Sequence, residues 1–252
     1  MSAEWPSGDP GARVQTRGRP FEVFGDLTPT TPQPQGGRRS DWVYEELSEA
    51  IRSLRLPPGT ALSEPAVAAW LQVSRAPARE AITRLADQGL VTVVPQVGTQ
   101  VAPISMRAVH DAVFIREALE TSAFRRATEK KELETHELHS MVDRNRDAAL
   151  RHDSEAFFET DERLHELVFA LAGVPEVWDL VRGTKLHLDR LRHLNLEAAI
   201  ENPEVVSEHQ QIVDALDRRD VAAGVAILHQ HSYRILGDTE GLRREHEGYF
   251  TV

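Results

Sequence analysis

A mainly α protein, with an N-terminal winged helix-turn-helix and a C-terminal all-α helical bundle, is the fold class that three features of the sequence predict. Between residues 38 and 103, caps, breakers and β-branched runs give the order helix, helix, turn, helix, hairpin. From residue 104 onward apolar residues recur almost continuously at helical spacing. The charge divides at the same place: residues 38–103 carry 7 basic against 7 acidic side chains, whereas the residues after 103 carry 19 against 29 and all 11 histidines.

Composition narrows the function before any motif does. The chain has 252 residues, 40% of them hydrophobic, enough for one large or two medium domains with a real core. It has no cysteine, which excludes disulfides and thiolate metal sites, so a metal would have to be held by His, Asp and Glu. The net charge of -11 argues against a general nucleic-acid coat. No apolar run approaches the roughly 20 residues a bilayer span needs. The N-terminus lacks the apolar core of a signal peptide, and a cytoplasmic protein is expected.

Residues 1–37, rich in Pro, Gly and Thr, read as a mostly disordered tail ending in the linker-like PTTPQPQGG. A first helix starts at the N-cap types Ser40 and Asp41 and carries Val43, Leu47, Ala50, Ile51 and Leu54 until LPPGT stops it. Ser63 caps a short second helix that tolerates Pro65 in its first turn. Ser74 caps a third helix that ends at Gly89. LVTVVPQVGTQVAPI then folds as a hairpin around Pro-Gln-Val-Gly.

On the third helix Ala78, Ile82 and Leu85 face inward, while Arg75 and Arg79 lie together near the N-terminal end. Two readings stay open for that helix alone. It is a capped surface helix with solvated arginines, or its dipole end, free N–H groups, Ser74 hydroxyl and guanidinium groups meet phosphates and guanine edges. The hairpin favours the second, because Gly98 lets a wing tip bring its backbone against a phosphate or into the minor groove.

The run LPPGTALSEPAVAAWLQVSRAPAREAITRLADQGLVTVVPQVGTQVAPI resembles the winged-helix domain of the GntR family of bacterial transcription regulators. The shared pattern is a P-G turn, L-S-E, V-S-R-x-P-x-R-E-A, a G-L hinge and a wing glycine. The resemblance implies contacts to double-stranded operator DNA from Ser74, Arg75, Arg79 and Gly98. It departs from the family at Pro65 and Ala66, where members often place a polar or basic residue, and at Ala76, where they often place Thr.

The remainder reads as helices at about 106–129, 132–151, 154–171, 176–198, 204–217 and 220–236, forming a domain over residues 104–240 with a C-terminal tail at 241–252. Polar residues interrupt its apolar faces. Asp161 and His165, four apart, share a face with Phe157, Leu164 and Val168; His209 lies with Ile212, Val213 and Leu216; His231 falls between Leu228 and Ile235. Singly, each suits a hydrogen-bonded core residue. Together, three His and one Asp suit a divalent ion such as Zn, Ni or Mn, because burying them unpaired is costly.

FIREALE, TDERLHELVFALAG, EHQQIVDAL and HQHSYRIL resemble the ligand-binding FCD domain of the FadR-like branch of that family. The resemblance implies that Asp161, His165, His209 and His231 are metal ligands, and that Arg116 faces the cavity for a small organic acid effector. By spacing alone Arg116 pairs with Glu120. A ligand-responsive regulator acting as a homodimer on a near-palindromic operator is therefore expected, and not an enzyme. The competing reading is a metal-dependent hydrolase-type enzyme built on the same His/Asp set.

Overall fold

The computed structural model describes residues 24–25, 27–34, 38–237 and 239–251. Helix α1 (Arg39–Arg52) is followed by strand β1 (Ala61–Leu62), helices α2 (Glu64–Trp70) and α3 (Arg75–Asp87), and strands β2 (Val91–Val94) and β3 (Gly98–Val101). The sheet is antiparallel in the order β1-β3-β2, with Val91 opposite Val101 and Val94 opposite Gly98. Val43, Leu47 and Ile51 from α1, Val67 from α2, and Ala78, Ala81 and Leu85 from α3 are buried between them. This is the winged helix-turn-helix, with β1 as the strand that no sequence pattern marked.

Local chemistry explains the ends of these elements. Ser63 accepts from Ala66 N at 3.2 Å, and Pro65 sits in the first turn, where no intrahelical donor is lost. The helix predicted from Ser40 begins one residue earlier, with Arg38 as N-cap. It stops at Arg52 rather than Leu54, because Leu54 adopts φ 60° and the Leu56 N–H returns to Ala50 O. Gly89, at φ 73°, turns the chain from α3 into the hairpin.

The segment expected as part of a structureless tail is partly docked. Thr30 and Thr31 donate backbone N–H groups to Glu46 at 2.7 and 2.8 Å, Trp42 Nε1 donates to Thr31 Oγ1 and Trp70 Nε1 to Leu27 O. Phe24 packs its ring on Trp70. Burial opposes ionisation of Glu46, but the Thr31 and Thr30 hydrogen bonds hold its carboxyl below the usual range. The rest of the expected tail, residues 1–23, 26 and 35–37, lies outside the described residues.

The second part of the chain is α4 (Met106–Thr128), α5 (His136–Leu150), α6 (Ser154–Ala172), α7 (Glu176–Thr184), α8 (Leu186–Leu194), α9 (Leu196–Glu201), α10 (Pro203–Asp217), α11 (Val221–Arg234) and α12 (Thr239–Glu245). Ser105, Asp153, Asn202 and Asp220 each accept a first-turn N–H, so α4, α6, α10 and α11 start on side-chain caps. Phe124, Leu164, Val168, Phe169, Ile212 and Leu228 sit in their shared core.

The helix expected over 176–198 is three, because the chain bends at Lys185, whose buried ammonium is held by Glu162 at 2.6 Å and Asp189 at 2.8 Å. Residues 241–251 are not a free tail. Ile104 exchanges hydrogen bonds with Tyr249 and Thr251, and Leu242 and Phe250 are buried with Val109, Val113, Leu188 and Leu191.

Helix α8 joins the two parts. Leu186 packs on the winged-helix core, Arg190 donates to Ala102 O at 2.6 Å, Ser105 N donates to His187 Nδ1 at 3.2 Å, and Arg52 Nη1 lies 3.6 Å from Asp189.

Candidate metal centre and nucleic-acid interface

Asp161 and His165 project from α6 into the bundle, one turn apart, and meet His209 from α10 and His231 from α11. One ligand atom from each lies within 4.8 Å of all the others. His165 Nε2 is 3.2 Å from His231 Nε2, and His209 Nε2 is 3.2 Å from Asp161 Oδ1. All four residues are buried or nearly so.

The outer nitrogens explain why the inner ones converge. His231 Nδ1 lies 3.0 Å from Glu208 Oε2, His209 Nδ1 lies 3.1 Å from Asn145 Oδ1, and His165 Nδ1 lies 3.1 Å from Glu120 Oε2. Asn145 donates its amide to Phe157 O and Thr160 Oγ1, which leaves Oδ1 as the acceptor that faces His209. The acceptors behind His231 and His209 favour the tautomer that carries its proton on Nδ1 and presents a lone pair at Nε2, whereas His165 Nδ1, though 3.1 Å from Glu120, is buried without a hydrogen-bond partner.

Three lone pairs and a carboxylate facing one another have no proton to share. His209 Nε2 is buried without a hydrogen-bond partner. Two ligand atoms each about 2.1 Å from one first-row ion stand roughly 3.0–3.4 Å apart, which the His165–His231 and His209–Asp161 pairs match at 3.2 Å, while His165 Nε2 stands 4.0 Å from Asp161 Oδ2. The donor set, three neutral nitrogens and one carboxylate oxygen, fits a divalent cation.

Electrostatics keep the set ready for one. Burial lowers the His231 imidazole to about 3, against the pull of Glu208. Burial, then Arg116, likewise lowers His165. Burial opposes ionisation of Asp161, but Arg192, which donates to its Oδ2, holds the carboxyl well below its usual value. Burial is overcome in the same way at Glu208, lowered to about 2 by hydrogen bonds from His231 and Arg234.

A cavity of about 310 Å³ opens beside the cluster, lined by Asp161, His231, Arg192, Phe158, Arg116 and Ser232 among others. Arg116 bonds Glu120 through Nε at 2.8 Å, as its spacing predicts, yet its Nη2 is buried without a partner. Ser232 Oγ is also buried and unpartnered. An anionic ligand with hydroxyl or carboxylate oxygens would satisfy both.

On the winged helix, Ser74, Arg75 and Arg79 are exposed at the start of α3. Ser74 occupies the N-cap position but its hydroxyl makes no cap bond, so hydroxyl and helix N–H groups remain available. Arg79 is not solvated alone: it grips Glu64 of α2 through Nε at 2.7 Å and Nη2 at 3.0 Å. Gly98 is exposed at φ 113°, and a Cβ there would meet nothing within 4 Å, so the backbone conformation rather than space selects glycine.

Residues 39–101 match the family of "Bacterial regulatory proteins, gntR family", and residues 111–234 match the FCD domain. The chain is 32% identical over 226 residues to the HTH-type transcriptional repressor RspR of Escherichia coli, covering 89% of this chain and 96% of that one. The chain belongs to the GntR family. A regulator in an unstable DNA locus of Streptomyces ambofaciens is 35% identical over 206 residues, covering 80% of this chain and 85% of its own. Two solved structures share the fold. E. coli McbR/YncC has a TM-score of 0.69 at 20% identity, covering 83% of this chain and 99% of its own. A putative GntR regulator from Rhodococcus sp. RHA1 has 0.65 at 22%, covering 79% and 98%.

This GntR protein is a transcription regulator with a DNA-binding winged helix and an FCD domain, as its relatives and domains indicate. No described helix is long and apolar enough to cross a membrane. Sequence reasoning missed the outer partners Glu120, Asn145, Glu208 and Arg192. Asn145 did leave a signal, since it interrupts the buried face of α5 formed by Leu138, Met141, Val142 and Ala148.

Proposed function

We propose that this chain is a metal-containing, ligand-responsive repressor that binds operator DNA as a homodimer and is modulated by a small organic acid. The observation that carries the reading is the convergence of three imidazole rings and the Asp161 carboxylate, with ligand atoms within 4.8 Å of one another, His209 and His231 being held from behind by Asn145 and Glu208 and His165 lying 3.1 Å from Glu120. Asp161, His165, His209 and His231 hold the ion, of the Zn, Ni or Mn kind. When bound, the ion supplies a positive template for the acid's carboxylate. Arg116 orients that carboxylate through its unpartnered Nη2, and Ser232 takes a second oxygen.

On the DNA side, Arg75 and Arg79 read phosphates or guanine edges from α3, Ser74 and the helix N–H groups bind phosphate, and the backbone at Gly98 meets the neighbouring groove. Glu64 sets the rotamer of Arg79. Repression is favoured by the name of the E. coli relative, a transcriptional repressor. The cavity's basic lining favours an anion, and nothing in the site favours the hydrolase-type alternative over a binding site.

The test uses DNA sites recovered by mapping the intact protein on its own genome. Fluorescence anisotropy with the metal-loaded chain measures operator affinity against a panel of mono- and dicarboxylates. One chemical class is expected to shift the affinity, and Arg116→Lys, which keeps the charge but loses the planar fork, to abolish that shift while DNA binding without acid persists. No response to any carboxylate, or an unchanged response in Arg116→Lys, would count against the effector reading.

A further inference from the structure

We propose that Arg17 and Arg19, in the run TRGRP, form a second DNA-contacting site that enters an A·T-rich minor groove beside the major groove met by α3. The proposal rests on the DNA-binding reading of α3 and adds to it a site in a different groove. Residues 10–21 hold Arg13, Arg17 and Arg19 and no acidic side chain. Gly18 puts no side chain between the last two guanidinium groups, and a residue before proline, here Arg19, favours extended backbone. Two guanidinium groups with no bulk between them suit a narrow groove, and the minor groove is narrowest and most negative over A·T runs.

The docked segment that follows fixes where this run is tethered. Phe24 is buried, and its ring centroid lies 5.5 Å from that of Trp70, the last residue of α2 and four positions before Ser74, the N-cap of α3. Trp70 Nε1 donates to Leu27 O at 2.8 Å, Arg55 donates to Thr28 O at 3.2 Å, and the Thr30 and Thr31 N–H groups bond the buried Glu46. The winged helix thus holds Phe24 beside the turn that leads into α3. Arg19 and Arg17 lie five and seven residues before Phe24, a reach of up to about 18 and 25 Å at roughly 3.5 Å per residue. On one face of B-DNA the minor groove next to a major groove is half a helical turn away, about 17 Å. Once α3 is seated, the tether makes the second contact intramolecular.

The winged helix itself brings no net charge to a polyanion. Residues 38–103 carry 7 basic and 7 acidic side chains, and Arg52, Arg79 and Arg84 are already paired with Glu49, Glu64 and Asp41. Minor grooves attract arginine and lysine, yet the wing, VTVVPQVGTQV, offers neither. Arg17 and Arg19 supply the cations the wing lacks. An acidic protein would also attract them, but the tether beside the turn into α3 favours the duplex.

Fluorescence anisotropy on the intact chain tests this, with duplexes that keep one mapped operator core and carry flanks of A·T pairs only or G·C pairs only. Wild type is expected to bind the A·T-flanked duplex at least tenfold more tightly. Arg17→Ala with Arg19→Ala should erase that preference and lower the slope of log affinity against log salt by about 2, with discrimination against an unrelated core unchanged. Wild type, but not the variant, should also protect adenine N3 in the flanks from methylation, a readout confined to the minor groove. Equal affinity for the two flanks in wild type, or a preference and protection that persist in the variant, overturns the proposal. The reading of α3 fails separately: core binding that survives Arg75→Ala with Arg79→Ala, while the flank preference still depends on Arg17 and Arg19, would sink that reading and keep this site.

Discussion

Arg192 of α8 donates to the Asp161 carboxylate, and Arg190, two residues earlier on the same helix, donates to the Ala102 carbonyl at the edge of the winged-helix domain. One short helix therefore touches both the proposed ion site and the DNA-binding part. Asp189, which precedes both, lies 3.6 Å from Arg52 of α1 and 2.8 Å from Lys185. A ligand that draws on Arg192 from the cavity pulls on an element already fixed to the winged helix. For the proposed organic-acid effector, reciprocal linkage between its affinity and DNA affinity is then the expected outcome.

Arg192→Met should therefore do two things. It leaves Asp161 and Glu162 as buried carboxylates that have lost a shared cation, which costs about 3 kcal/mol of stability. It should also weaken the effect of the acid on operator affinity more than the affinity itself. Denaturant unfolding and anisotropy measure the two separately.

On the DNA face, Arg75→Ala with Arg79→Ala should lower operator affinity by two orders of magnitude or more, with each bidentate contact worth roughly 1–3 kcal/mol. Both side chains are exposed, so unfolding should hardly change. The slope of log affinity against log salt should fall for whichever arginine contacts phosphate. Glu64→Gln removes the clamp on Arg79 and should weaken binding less than removing the arginine itself.

The residues behind the histidines give a prediction with the ligand set intact. Glu208→Ala and Asn145→Ala remove the acceptors that orient His231 and His209, and should each lower metal affinity by about 10- to 100-fold. Competition with a coloured chelator reads the change. Unchanged affinity in both variants would mean that these contacts are structural only.

Acid should loosen the junction between the two parts. Burial, then Arg190, lowers the folded His187 imidazole to about 4, so between that value and its ordinary 6.5 the unfolded chain binds the proton that the folded chain refuses. The stability it contributes is complete above 6.5 and lost as pH falls from 6.5 toward 4, on the order of 3 kcal/mol. His187→Gln should flatten the stability profile in that window; a slope as steep as wild type would assign the effect elsewhere.

Much of this was legible because local signals carry local structure. Ser63, Gly89, the β-branched runs and the wing glycine mark the winged helix in order, and their marks coincide with the observed elements. Asp161 and His165 could be found by spacing, and His209 and His231 by their places on apolar faces. What stayed hidden depends on contacts across the chain. Glu120 and Asn145 reach the histidines from α4 and α5, Lys185 breaks a helix because its partners Glu162 and Asp189 lie inside the fold, and Thr30 and Thr31 dock only because Glu46 is buried 15 or 16 residues away. Apart from Asn145, which interrupts the buried face of α5, none of these leaves a period in the sequence.

Elemental analysis by mass spectrometry of untagged protein should find close to one first-row divalent ion per chain in wild type, and near none in His209→Ala with His231→Ala. No bound ion in wild type, or equal content in the double variant, would contradict the site.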